Sequence, residues 1–188
     1  MNDEMTGNRW QNGVSDLIRQ VKPKLIVETG VSEGVSTQKF LQALDDNGEG
    51  QLISIDPSPA YQIAHPRWTL IRDLSVNVLA KLYHEHGPLD MFVHDSDHGA
   101  ECQTFEYETA LRFVAPSGYI LSDDITWGNH NAWPAFLARH NLAGDKIGHA
   151  GVVKLSATQP VLVGLPEAVG IIEMAMQTAR DYARKVGW

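Results

Sequence analysis

Glu28-Thr29-Gly30-Val31-Ser32-Glu33-Gly34-Val35-Ser36-Thr37 follows the short apolar run Leu25-Ile26-Val27 and leads into a helical stretch that opens near Ser36 and continues from Lys39 to Leu44. Glycines directly after a strand let the backbone turn sharply and approach a ligand, while the start of the next helix presents free N–H groups to a negative group. The segment reads as strand, ligand loop and helix, with Glu28, Gly30, Ser32, Gly34 and Ser36 as candidate binding residues. A tight strand-to-helix turn would account for the two glycines equally well.

Around this segment, apolar runs alternate with helical spacing. Leu52-Ile53-Ser54-Ile55, Trp68 to Ile71, Met91-Phe92-Val93 and Tyr119-Ile120-Leu121 read as strands, with helices at about Val76 to His84 and Glu101 to Val114 between them. Near-continuous apolar strands interleaved with helices predict an α/β fold, a Rossmann-like doubly wound sheet that is mostly parallel with helices on both faces. Ahead of the first strand, Trp10, Val14, Leu17, Ile18 and Val21 fall at helical spacing, giving a first helix over about 10–22 that ends before Pro23. Past the fifth strand, Trp133 to Arg139 reads as helix. Lys146 to Ala150 and Val152 to Leu155 read as two strands joined too tightly for a crossover helix, hence as an antiparallel C-terminal pair. Val169, Ile172, Met176, Ala179, Ala183 and Val186, with Pro166 at the first turn, predict an amphipathic helix over about 166–186. Its second apolar edge, Ile171, Met174 and Tyr182, could serve a homodimer or pack on the sheet.

One domain is expected over 1–188, with its ligand-binding core at about 24–155, because a single core of this length buries enough surface to be stable. A net charge of -8 with no run of Lys and Arg argues against a nucleic-acid partner. Cys102 is the only cysteine, which excludes an internal disulfide and a cysteine-rich zinc site. The first residues lack the pattern of a secretory signal, and no apolar stretch nears the roughly 18–20 residues of a membrane span, so no membrane contact and a cytoplasmic location are expected.

Two further features point to chemistry. Asp56, at the end of the second strand, can accept hydrogen bonds from both ribose hydroxyls of an adenosine ligand, although Asp56-Pro57 also suits a turn. Ser32 stands where a dinucleotide fingerprint would have its middle glycine, and Glu28 suits a cationic or amino-bearing ligand while repelling a pyrophosphate. The second feature is His94-Asp95-Ser96-Asp97-His98 after the fourth strand with Ser122-Asp123-Asp124 after the fifth. In a parallel sheet these strand ends share one edge, so Asp95, Asp123 and Asp124 should converge beside the nucleotide site. Seven acids lie between Met91 and Asn131, with Arg112 as the sole Lys or Arg. Crowded carboxylates must take up protons or bind a cation. Oxygen donors favour Mg²⁺, then Mn²⁺ or Ca²⁺, while His94, His98 and His130 leave iron or zinc open. Asp97, Asp123 and Asp124 could instead cap turns and helices.

These runs together, over about Lys24 to Leu155, resemble the metal-dependent class I O-methyltransferases of the catechol, caffeoyl-CoA and macrocin types. The resemblance implies S-adenosylmethionine (SAM) as cofactor, Mg²⁺ or another divalent cation on Asp95, Asp123 and Asp124, and O-methylation of a small-molecule acceptor. Asp123-Asp124-Ile125-Thr126-Trp127-Gly128 is similar to the metal loop of that group, with Asp124 where Asn is common. The resemblance further implies that Ser36 contacts the methionine carboxylate, Asp56 the ribose and the segment Asp73 to Ser75 the adenine. His98 falls where the catechol type has a basic lysine; an imidazole titrating near working pH can remove a proton equally well, and metal ligand and helix-start residue are the other readings of this histidine. Trp127 and Trp133 could wall the acceptor pocket or belong to the core. Asp95-Ser96-Asp97-His98 is also close to a motif of cephalosporin-hydroxylase-like proteins, which leaves oxygenase chemistry open. A haloacid-dehalogenase-type phosphatase fits less well, since three strands precede the Asp-x-Asp here and no lysine lies between the acid pairs.

Overall fold

A computed structural model describes residues 9–126 and 132–158 together with Gln177, Arg180, Asp181 and Arg184. Five parallel strands form its centre: β1 (Leu25–Thr29), β2 (Gln51–Ile55), β3 (Trp68–Ile71), β4 (Leu89–His94) and β5 (Val114–Ser122). They are interleaved with α1 (Arg9–Val21), α2 (Val35–Asn47), α3 (Ser75–His86) and α4 (Ala100–Phe113); α5 (Ala132–Arg139) leads to β6 (Gly144–Ile147) and β7 (Ala150–Lys154). The sheet order is β3-β2-β1-β4-β5-β7-β6, and β7 runs antiparallel to both neighbours. Strand order reverses between β1 and β4, which opens a crevice at their carboxyl ends.

Strand periodicity divides the core between the two faces of the sheet. Val27, Ile53, Phe92 and Ile120 pack with α3, α4 and α5, whereas Ile26, Leu52, Met91, Val93 and Leu121 pack with α1 and α2. Register then sets the site. Thr29 lies opposite both Ile55 and His94, and His94 opposite Ser122, so the last residues of β1, β4 and β5 form one row. Backbone bonds carry that alignment one residue further, from Asp95 N–H to the Thr29 carbonyl at 2.9 Å and from Asp123 N–H to the His94 carbonyl at 2.8 Å.

The C-terminal hairpin departs from the sequence reading. Gly148 and His149 form its turn, and Ala150 and Gly151 belong to the second strand rather than to the first strand or a link. Gly148 adopts φ 64, the left-handed conformation of a tight turn, which a reading of apolar runs does not detect. β5 is also longer than expected, beginning at Val114. The predicted helix over 166–186 and its proposed dimer edge lie outside the described residues, except for four helical positions. Among the described residues no helix is long and apolar enough to cross a membrane.

Candidate active site

The glycine loop and the acid cluster meet at the β1–β4 crevice. Gly30 has φ 84 and lies so close to β4 that a Cβ there would collide with the Asp95 carbonyl. Gly34, φ 76, is the N-cap of α2 and provides no side-chain cap, so the first turn of that helix keeps its amides open to a ligand. A Cβ on Gly34 would strike the ring of Tyr61, which packs over the loop and against Trp68 at 5.6 Å between centroids. Tyr61 was not singled out in the sequence. It reaches the loop because its N–H and that of Ala60 both donate to the Ser32 carbonyl, at 3.0 and 2.9 Å.

Asp56 holds this loop from the other side. One carboxylate oxygen accepts the N–H groups of Val31 and Ser32, at 2.8 and 2.9 Å, and the other accepts that of Ser58 at 2.7 Å. Asp73 accepts from Leu74 N–H and the Asn77 amide, fixing the start of α3. Glu28 is fully buried, with one oxygen bonded to Thr37 at 2.8 Å and Ser54 at 2.6 Å and the other without a hydrogen-bond partner among the described residues. Burial pushes its pKa up to about 7 despite the hydroxyls of Ser54, Thr37 and Ser36. An unpartnered carboxylate oxygen beside an uncapped helix start fits an amino-acid-bearing ligand such as SAM.

At the tips of β4 and β5, donor atoms of Asp95, His98 and Asp123 lie within 4.8 Å of one another, and so do those of Asp123, Asp124 and His149. Asp123 is common to both groups. The three acids read from the sequence are thus placed on one edge, with Asp124 in the left-handed region (φ 45), which Asp tolerates better than most residues. Burial, then the charges of Asp123 and Glu28, push the Asp95 carboxyl up to about 9; Ser36, whose hydroxyl reaches it at 3.4 Å, offsets little of this. Burial and neighbouring His94 hold the His98 imidazole below its ordinary pKa, more than Asp124, Asp123 and Asp97 restore it. Nδ1 of His98 is buried without a hydrogen-bond partner among the described residues. Asp97 accepts Gly99 N–H at 2.6 Å just ahead of α4, and the N-cap of that helix is Gly99, which carries no side-chain cap.

His149 corrects the expectation that these acids lack a basic neighbour. Its Nε2 is 2.8 Å from Asp123 and 3.6 Å from Asp124. His149 follows the acids by more than twenty positions and lies in a turn where the apolar pattern predicts strand, so spacing does not reveal it. Ser122 pairs with Gly151, so the antiparallel register brings the hairpin turn beside Asp123 and Asp124. A second unforeseen residue, Glu106, lies fully buried behind the site. It gathers Thr29 Oγ1 at 2.5 Å, His94 Nδ1 at 2.6 Å and Ser96 Oγ at 2.9 Å. Ser75, expected near an adenine, opens α3. Trp133 is core rather than pocket wall, being buried against Tyr107 and Phe136. Trp127, Gly128 and His130 lie outside the described residues.

A family model described as a methyltransferase domain matches residues 27–125, more than half of the chain, from the end of β1 through the acid pair after β5. The chain belongs to that family. No curated protein matches the sequence closely enough to count as a relative. Solved structures share the fold of this methyltransferase at low identity. MycE methyltransferase from the mycinamycin biosynthetic pathway, in complex with Mg, SAH and mycinamycin VI, superposes with a TM-score of 0.62 at 14% identity, over 82% of this chain and 50% of MycE. SAH-bound methyltransferase PaMTH1 of Podospora anserina gives 0.62 at 18% identity, over 82% of this chain and 80% of that one. The O-methyltransferase of Bacillus cereus in complex with SAH gives 0.58 at 14% identity, over 82% and 84%. The methyltransferase spans half the length of MycE. The chain therefore carries a methyltransferase domain and shares the fold of these methyltransferases.

Proposed function

We propose that this methyltransferase transfers the SAM methyl group to a hydroxyl oxygen of a small molecule, with a divalent cation held by Asp95, Asp123 and Asp124. The observation that carries this is the convergence of Asp95, His98 and Asp123 within 4.8 Å at the edge where the glycine loop opens. The donor set fits a cation: clustered carboxylates at that edge, one pushed toward its protonated form by burial and like charge. A bound cation would supply Lewis-acid polarisation of the acceptor oxygen. SAH in the complexes of MycE, PaMTH1 and the Bacillus enzyme, and Mg in MycE, supports the same reading.

The chain's own residues do the rest. The α2 start and Ser36 would bind the methionine end of SAM beside the loop tied down by Asp56. His98, its pKa lowered by burial, would take the acceptor's hydroxyl proton on a ring nitrogen as the oxygen bonds to the methyl carbon and the methyl–sulfur bond breaks, with SAH as the leaving group. The test is calorimetry with SAM and NAD⁺, followed by transfer from methyl-labelled SAM to phenols, sugars and hydroxy acids with Mg²⁺, Mn²⁺ or EDTA. SAM binding without NAD⁺ binding, and turnover lost in EDTA and in Asp95→Ala, are expected. Turnover indifferent to EDTA and to Asp95→Ala would overturn the metal part of the reading.

A further inference from the structure

We infer that His149, at the turn of the β6–β7 hairpin, is a nitrogen ligand of the cation at Asp123 and Asp124, so that the site prefers a first-row transition ion to Mg²⁺. This rests on the proposed cation site and concerns which donors complete it. Cis donors around an octahedral ion with bonds of about 2.1 Å lie about 3 Å apart. His149 Nε2 stands 2.8 Å from one Asp123 oxygen and 3.6 Å from one Asp124 oxygen, spacings that such an ion would span with small adjustments. The His149 side chain is 46% exposed, and the core supports it from one side. Trp10, buried in the core, meets the ring edge-on at 6.4 Å between centroids, and Gly148 lies beside the Trp10 backbone. One turn along α1, Gly13 leaves room for Ile147, so the helix braces the entry to the hairpin turn.

A neutral imidazole among carboxylates changes the selectivity of the site. Oxygen-only sites suit Mg²⁺, whereas a nitrogen donor adds affinity that rises along the series from Mn²⁺ to Co²⁺ and beyond. The rival reading of the same contacts is an imidazolium ion paired with the two aspartates, which would compete with a cation instead of binding it.

Mn²⁺-loaded protein distinguishes them by electron spin echo modulation, which registers ¹⁴N bound directly to the metal. Wild type and H98Q should show it, and H149Q and H149N should not. By calorimetry, both His149 variants should bind Co²⁺ about 10- to 100-fold more weakly, with Mg²⁺ affinity changed about threefold or less. Modulation that persists without His149 or is missing from wild type, or Co²⁺ binding that is unchanged or tighter in the variants, would overturn the inference while leaving the cation site standing. Wild type that takes up none of the three ions would overturn both.

Discussion

Replacing Glu106 by alanine removes the acceptor on which the ends of β1 and β4 depend. The side chain is fully buried, as are His94 and Thr29, two of its donors. His94 Nε2 already lacks a partner, so losing the 2.6 Å bond at Nδ1 strands both ring nitrogens, and Thr29 loses its 2.5 Å acceptor. Ser96 is only partly buried and can turn to water, so its 2.9 Å bond counts for little. A stranded buried donor costs about 1–3 kcal/mol. Two of them, with a small cavity, give a loss of about 4 kcal/mol. For a chain of this size that is a fall of about 8–16 °C in Tm. Burial alone would raise the Glu106 pKa, but attraction to His94 and bonds from His94 and Thr29 carry it below the ordinary glutamate value. Its contribution is therefore present above the unfolded pKa and fades as pH falls through the lower folded value, so the gap between wild type and Glu106→Ala should narrow in acid. Urea unfolding at pH 7 and pH 4 measures both quantities. A loss under about 1 kcal/mol at pH 7, with an unchanged denaturant slope, would refute the reasoning.

Three other outcomes follow from the same geometry. Glu28 is raised from 4.5 to about 7, so the stability it contributes is complete below about pH 4.5 and lost as pH rises through about 7; wild type measured against Glu28→Gln in urea should lose about 3 kcal/mol between pH 5 and pH 8. Gly30→Ala places a Cβ in the left-handed region and into the Asp95 carbonyl, and should cost about 3 kcal/mol in thermal unfolding and abolish SAM binding by calorimetry. Asp95→Asn relieves the repulsion that raises Asp95, and should stabilise the cation-free protein by about 1–3 kcal/mol at pH 8 and less at pH 5, while turnover is lost; a destabilised variant at pH 8 would contradict this.

The parallel half of the sheet was legible because its signals are local. Leu25 to Thr29 is an apolar run with a glycine turn behind it, and Met91 to His94 is another with acids behind it; a doubly wound sheet then forces both sets of tips onto one edge. Asp95, Asp123 and Asp124 therefore stand out from strand spacing alone. Partners that come from tertiary contact do not. His149 belongs to the site through the register Ser122 to Gly151, and the left-handed Gly148 that shifts this hairpin by two residues leaves no mark on the apolar pattern. Glu106 had one hint, an acid between Phe105 and Tyr107 in a helix that turns this position inward, but its partners on β1 and β4 cannot be read from spacing.

The site divides its labour between rigid and adjustable parts. Asp95 and Asp123 follow directly from strands whose ends are bonded to each other, so their separation is fixed by the sheet and cannot relax when they repel. The two imidazoles come from elsewhere, His98 from the entry to α4 and His149 from a hairpin turn, and each shares a donor cluster with Asp123. Rigid acids whose repulsion destabilises the empty protein favour whatever positive charge arrives, because binding removes a cost as well as adding bonds. Nitrogen donors on loops can then differ in role, one left free for the acceptor's proton and one for the ion, without moving the carboxylates. On this account a substitution at either histidine alters selectivity or proton transfer separately, whereas one at Asp123, common to both triads, disrupts the two together.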